Sequence, residues 1–248
     1  MVRPLHSVAA LAVAAVVFCA SVPSTAVGRV VLNRSPADGW SRVQTRPPAH
    51  VIAYVRRGRP LPLRARPFGR VLAQVSSTTQ FGSRRALSVV TRRGRWLGVT
   101  EAGVGNNRPV WVDARAGGLS YTRTRLEVDV ALSTRTLVLR RDGHVVRRMR
   151  IGIGRPGSPT PTGRFSVTDK LNGPAYSAFY GCCILALSAT QPNLPAGWSG
   201  GNRIAIHGTP SSSDFGRAVS AGCVHANDAD LRYLMRTIPL GTPVVIKR

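Results

Sequence analysis

The chain has 248 residues and a formal net charge of +25, from 35 Lys and Arg against 10 Asp and Glu. Lys170 and Lys247 are the only lysines, and the positive charge is spread over both halves rather than gathered on one stripe. That spread argues against a nucleic-acid-binding face. It leaves two readings, an Arg-rich coding bias and attraction to an anionic polymer such as a cell wall.

Arg3, the apolar run over residues 8–20 and the small residues Ser24, Thr25 and Ala26 form an export-signal pattern over residues 1–26. The run is shorter than the roughly 20 apolar residues of a membrane span, and an uncleaved anchor is the alternative reading. Cys19 follows the bulky Phe18, so no lipid attachment is expected there. The expected location is extracytoplasmic and cell-wall associated, away from DNA and RNA. Residues 27–49, rich in Pro, Arg and Ser with Pro47-Pro48, are expected to be a flexible tether.

From Val51 onward short apolar runs recur as VIAYV, RVLAQV, LSVV, RWLGV and PVWVD, each interrupted by turn residues. This pattern predicts small antiparallel strands and a compact β-barrel over residues 50–117, with Trp96 and Trp111 in its core. An aromatic-lined groove is the second reading of the two tryptophans. AGGLSYTRTR, residues 116–125, is expected to be the join to a second set of strands.

LEVDVAL alternates apolar and polar residues, as a half-buried strand does. Asp142-Gly143 then lies between two apolar runs and predicts a type I′ hairpin turn, because both residues tolerate positive φ. GRFSV, CCILALSA and NRIAIHG supply further strands, and TPVVIK a last one. One helix is predicted, capped by Asn227, with Leu231, Leu234, Met235 and Ile238 at helical spacing and Pro239 and Gly241 ending it. The expected fold is mainly β, with one helix near the C-terminus.

Three cysteines remain after signal removal: Cys182, Cys183 and Cys223. An odd count leaves at least one thiol free or paired between molecules. Cys182 and Cys183 are expected on a strand, facing opposite sides. Cys223 is the candidate nucleophile. A thiol attacks a carbonyl as its thiolate, so a neighbour must lower its pKa or take its proton. His207, at the end of an apolar strand, is the candidate base. Gly222 permits close backbone approach, and amides near Cys223 could hold an oxyanion. The following helix N-terminus adds a modest favourable field.

These residues carry a resemblance. His207-Gly208, a spacer with Gly216-Arg217-Ala218-Val219, then Ser220-Ala221-Gly222-Cys223-Val224 and Asn227 resemble the signature of the YkuD family of L,D-transpeptidases. Thr160-Pro161-Thr162-Gly163-Arg164-Phe165 resembles a second motif of that family, and the resemblance covers about residues 124–248. It implies a β-sandwich-like catalytic domain in which Cys223 is the nucleophile, His207 its base and the main-chain carbonyl of Gly208 the holder of the imidazole. Ser220 and Gly222 would shape the nucleophile loop. The implied substrates are peptidoglycan stem peptides, and the implied reaction is a 3→3 crosslink without metal or cofactor. Carbapenem-type β-lactams would be acylating inhibitors. Residues 50–117 resemble the small SH3-like barrels that accompany this family.

The sequence departs from the signature at two positions. Ala221 stands where the fullest signature has His, and His225 where Arg is usual, which bears on substrate preference. His225 also has a plain reading as a loop residue filling space. Zinc is disfavoured, because adjacent cysteines do not easily share one tetrahedral ion and no Cys-x-x-Cys spacing exists. Papain-like and NlpC/P60-like peptidases place cysteine before histidine, the reverse of the order here. L,D-carboxypeptidase action on the same scaffold and a non-catalytic wall-binding module are the alternatives.

Overall fold

The computed structural model describes residues 47–248 apart from Arg59. The expected signal peptide, and all but the last three residues of the expected tether, lie outside the described residues. The first strands are β1 (His50–Val55), β2 (Leu61–Arg64), β3 (Val71–Val75), β4 (Ala86–Arg93), β5 (Trp96–Val99), β6 (Val110–Asp113) and β7 (Leu119–Thr124). They hydrogen-bond in the order β3-β2-β6-β5-β4-β1-β7, with every neighbour antiparallel. Trp96 and Trp111 are buried, as core residues rather than walls of a groove. The segment read as a join is mostly β7, which pairs with β1 along its length. Three of its six residues are exposed, so this edge strand carries little apolar signal.

The second set comprises β8 (Leu126–Ala131), β9 (Thr136–Arg141), β10 (His144–Arg150), β11 (Ile153–Gly154), β12 (Gly163–Asn172), β13 (Cys183–Thr190), β14 (Arg203–His207), β15 (Ala218–Ser220), β16 (Val224–His225) and β17 (Pro243–Lys247). Eight of these form a sheet in the order β10-β9-β8-β17-β12-β13-β14-β16, while β11 and β15 form a small parallel ladder. Asp142 and Gly143 have φ of 53° and 81°, and Arg141 pairs with His144, so the predicted hairpin turn is present. β8 alternates buried and half-buried residues, whereas β13 is buried at every position but its last. A strand with one face partly open to solvent shows period two; a strand covered on both faces shows a continuous apolar run.

The single α-helix among the described residues, α1 (Asp228–Thr237), packs against β13. Asn227 Oδ1 accepts from Asp230 N at 2.9 Å, so Asn227 is the N-cap. Leu231 and Leu234 are fully buried in one cluster with Leu185 and Ile206. Truncating a leucine in such a setting to alanine costs about 2–5 kcal/mol. α1 thereby fixes the strand pair β14–β16 that precedes it.

The two sheets belong to one compact unit. Thr100 Oγ1 and Ser166 Oγ hydrogen-bond at 2.7 Å across the seam, and Tyr54 donates its hydroxyl to Leu240 O at 3.3 Å. Thr79 Oγ1 also reaches the buried Asp169 carboxylate.

Candidate active site

β14 and β16 run parallel, with His207 opposite His225. Cys223 immediately precedes β16 and comes two residues before His225. Its Sγ lies 3.9 Å from the main-chain oxygen of Arg203, alongside β14. Tyr180 packs edge-on against His207, with ring centroids 4.9 Å apart, and Cys223 is near enough to act electrostatically on the Tyr180 hydroxyl. Thiol and imidazole thus share one neighbour.

His207 is buried, and its Nδ1 lies 2.6 Å from Gly208 O. A carbonyl only accepts, so Nδ1 carries the proton and Nε2 the free lone pair. The local holder expected at Gly208 is in place. Gly208 is sterically required: a Cβ there would lie 2.6 Å from Gly181 Cα and 2.7 Å from Tyr180 O. Gly208 N also donates to Tyr180 O at 2.9 Å, which joins the histidine turn to the Tyr180 segment.

Burial pushes the His207 imidazole down to about 4, helped by the neighbouring His225 and opposed by the Gly208 hydrogen bond and Asp214. Burial pushes the Cys223 thiol up to about 11, against a hydrogen bond with the Ala205 main chain. At pH 7 both partners are therefore neutral. The sequence reading gave His207 the task of lowering the thiol's pKa or taking its proton. Among the described residues no hydrogen bond joins Cys223 to His207, and desolvation outweighs the remote helix field. Contacts of this kind commonly form only once substrate is bound.

Ser220 Oγ donates to Cys223 O at 2.6 Å and accepts from Gly222 N at 3.0 Å, so Ser220 closes the nucleophile loop on itself. That bond also occupies the Gly222 amide, one of the expected oxyanion donors. Gly222 has φ of 122°, and the place of its missing Cβ is filled by the Gln191 amide. His225 is not a space-filling residue. Its Nδ1 lies 2.7 Å from Asp214 Oδ2, which also accepts from Thr209 Oγ1 at 2.6 Å. Desolvation pushes the Asp214 carboxyl up, but the hydrogen bonds from Thr209 and His225 and the charges of His225 and Arg217 together hold it below its ordinary range. The His225 ring lies 4.8 Å from that of His207.

Sequence reasoning missed Tyr180, Asp214 and Gln191. None belongs to a motif at fixed spacing, and each reaches the site through loops whose course the strand pattern does not specify. The expectation for Cys182 and Cys183 is also corrected: they are bonded to each other as a disulfide of adjacent residues, not turned to opposite faces. Cys182 precedes the first residue of β13, so strand alternation does not govern it. Cys223 is the free cysteine among the described residues.

A surface cavity of about 400 Å³ lies next to Arg203, lined by Gln80, Phe81, Gly105, Thr190 and Asn202. Thr190 and Arg203 of the second sheet line it together with residues from the β3–β4 and β5–β6 connections.

Residues 124–246 match the YkuD family, the L,D-transpeptidase catalytic domain. This part of the chain belongs to the YkuD family. Two Bacillus subtilis (strain 168) proteins named for L,D-transpeptidase activity are similar to it. YkuD is 29% identical over 121 residues, covering 49% of this chain and 65% of its own. YqjB is 31% identical over 122 residues, covering 46% of this chain and 66% of its own. The chain thus spans just under two thirds of the length of these relatives. The solved structure of Bdellovibrio bacteriovorus Bd1075 aligns at 26% identity with a TM-score of 0.40, covering 50% of this chain and 48% of that one. Within the YkuD domain, the two departures from the family signature have separate surroundings. The Ala221 carbonyl accepts from Gln191 Nε2 at 3.0 Å, and His225 binds Asp214.

Proposed function

We propose that the protein is a peptidoglycan L,D-transpeptidase that works outside the cytoplasm. The observation that carries this reading is the His207 Nδ1–Gly208 O bond of 2.6 Å, which leaves Nε2 unprotonated as a proton acceptor, with Tyr180 a neighbour common to the imidazole and Cys223. As a stem peptide settles, the thiol turns from Arg203 O toward Nε2. His207 takes the thiol proton while sulfur attacks the carbonyl carbon of the third residue, a diamino acid. The C–N bond to the terminal D-Ala breaks, and the proton on His207 leaves with the D-Ala amine. An amine of a second stem then attacks the thioester and gives its proton to His207; the C–S bond breaks and His207 passes that proton to the departing sulfur, restoring the thiol and forming a 3→3 crosslink. This general-base route starts from two neutral groups, so proton transfer to His207 accompanies sulfur attack rather than preceding it. Cys223, His207 and Gly208 are the catalytic set; Ser220 and Gly222 shape the loop, and His225 faces the substrate side. The same thiol would open a carbapenem-type β-lactam ring, and the +25 net charge favours anionic wall polymers.

Incubation of purified protein with a disaccharide-tetrapeptide, followed by mass spectrometry, tests this. A crosslinked dimer with loss of one D-Ala is expected, together with an acyl adduct on Cys223. Tripeptide alone would replace transpeptidation with L,D-carboxypeptidase action. An inert protein that still binds wall material would replace the enzyme with a binding module.

A further inference from the structure

The nucleophile loop is braced from outside its own sheet. Gln191 is buried, and its Nε2 donates to two carbonyls, Ala221 O and Pro159 O, each at 3.0 Å. Its Oε1 accepts from Asn193 N at 3.0 Å. Two carbonyls need donors and one amide needs an acceptor, so the amide has one orientation that satisfies all three. The amide also occupies the space beside Gly222 that a Cβ would fill. Gln191 therefore joins the residue two before Cys223 to the start of the Thr160–Phe165 motif.

Gln191 N donates to Asn202 O at 2.7 Å, and the residue before it is held from the first sheet's β5–β6 connection. Asn106, in the β5–β6 connection, treats the last residue of β13 as a strand partner. Its Nδ2 donates to Thr190 O at 2.7 Å, and its Oδ1 accepts from Thr190 N at 2.9 Å. The next residue, Asn107, does the same to the motif. Its Nδ2 donates to Thr162 O at 2.8 Å, and its Oδ1 accepts from Arg164 N at 3.3 Å. Asn107 has φ of 57°, a left-handed conformation that asparagine tolerates better than most residues. Two adjacent asparagines thus hold the residue before Gln191 and the motif whose preceding carbonyl, Pro159 O, Gln191 binds.

We infer that Asn106 and Gln191 are positioning residues for Cys223, so that the first sheet is part of the apparatus that orients the nucleophile. The inference deepens the acyl-transfer reading and rests on it. Buried amide networks of this kind hold a unique arrangement because each member loses its partner if another moves. Asn106 acts on Cys223 only through Thr190 and Gln191.

The test is a double-mutant cycle of Asn106→Asp and Gln191→Glu, each isosteric and each removing donors. Gln191→Glu should lower kcat for D-Ala release by roughly 100-fold, the scale of a misplacement of about 1 Å, with KM within about twofold. Asn106→Asp should lower it less, and the double variant should be no worse than Gln191→Glu alone, because both act along one path. Iodoacetamide alkylation of Cys223, measured well below the melting temperature, should become faster in both variants as the loop loosens. Val75→Ala, in the core of the first sheet, should change neither rate. Unchanged kcat in Gln191→Glu, additive losses in the cycle, or equal effects from Val75→Ala would overturn the inference. If the wild type forms no acyl adduct on Cys223, the acyl-transfer reading itself fails. The alkylation cycle then still decides whether Asn106 and Gln191 position the thiol.

Discussion

Two regions of the molecule differ sharply. The loop from Ser220 to Cys223 is tied by Ser220 and Gln191 side chains to its own backbone, and the buried Gly222 has no room for a methyl group. Residues 173–180 and 192–202 instead expose Tyr176, Phe179, Leu194 and Trp198. Phe179 is 73% exposed only one residue from Tyr180, which packs against the histidine. The loop that carries Cys223 is held by side-chain hydrogen bonds, whereas the other segments leave apolar side chains open to solvent.

The largest expected effect falls on the tied side. Cys223→Ala should abolish acyl transfer and the acyl adduct, and His207→Gln should cost roughly 10²–10⁴ in kcat, the usual value of a general base. Both proteins should melt near the wild-type temperature; retained turnover in Cys223→Ala would sink the mechanism. Next comes Gly208→Ala, whose methyl would collide with Gly181 and Tyr180. Overpacking of this kind costs about 1–3 kcal/mol, so denaturant unfolding should show the loss together with reduced turnover.

The pH dependence sharpens the same comparison. With His207 held at about 4, the rate should stay level through the ordinary histidine range and fall only as pH drops through about 4. A pH–rate profile bending near 6.5 would contradict a buried, neutral base. The stability sign follows from linkage: the unfolded chain binds this proton more readily, so stability should decline as pH falls from about 6.5 toward 4. Thermal melts across that interval check it. The smallest effect belongs to the open side. Phe179→Ala should leave stability within about 0.5 kcal/mol and raise KM for a stem peptide without changing kcat.

Much of the fold was legible because it depends on local pattern. The β8 alternation, the Asp142-Gly143 turn and the Asn227 cap each follow from residues adjacent in sequence. Gly208 was legible as the imidazole's holder only through the family resemblance, since a main-chain acceptor leaves no side-chain signal. The rest depends on distant segments meeting. Asp214 reaches His225 from a loop after β14, and Asn106 reaches Thr190 across 84 positions. No spacing rule encodes such meetings. The resting thiol was misjudged for a related reason: burial is a property of the assembled sheets, and here it outweighs the helix field that the sequence made visible.

The bond between Cys182 and Cys183 has a consequence for redox bookkeeping. By consuming each other, these neighbours withdraw from exchange chemistry and leave Cys223 without an idle sulfhydryl nearby to capture it. In an oxidising milieu the reactive sulfur then answers only to incoming electrophiles and small oxidants, and a thiol titration of the processed, unfolded, unreduced chain should count one group.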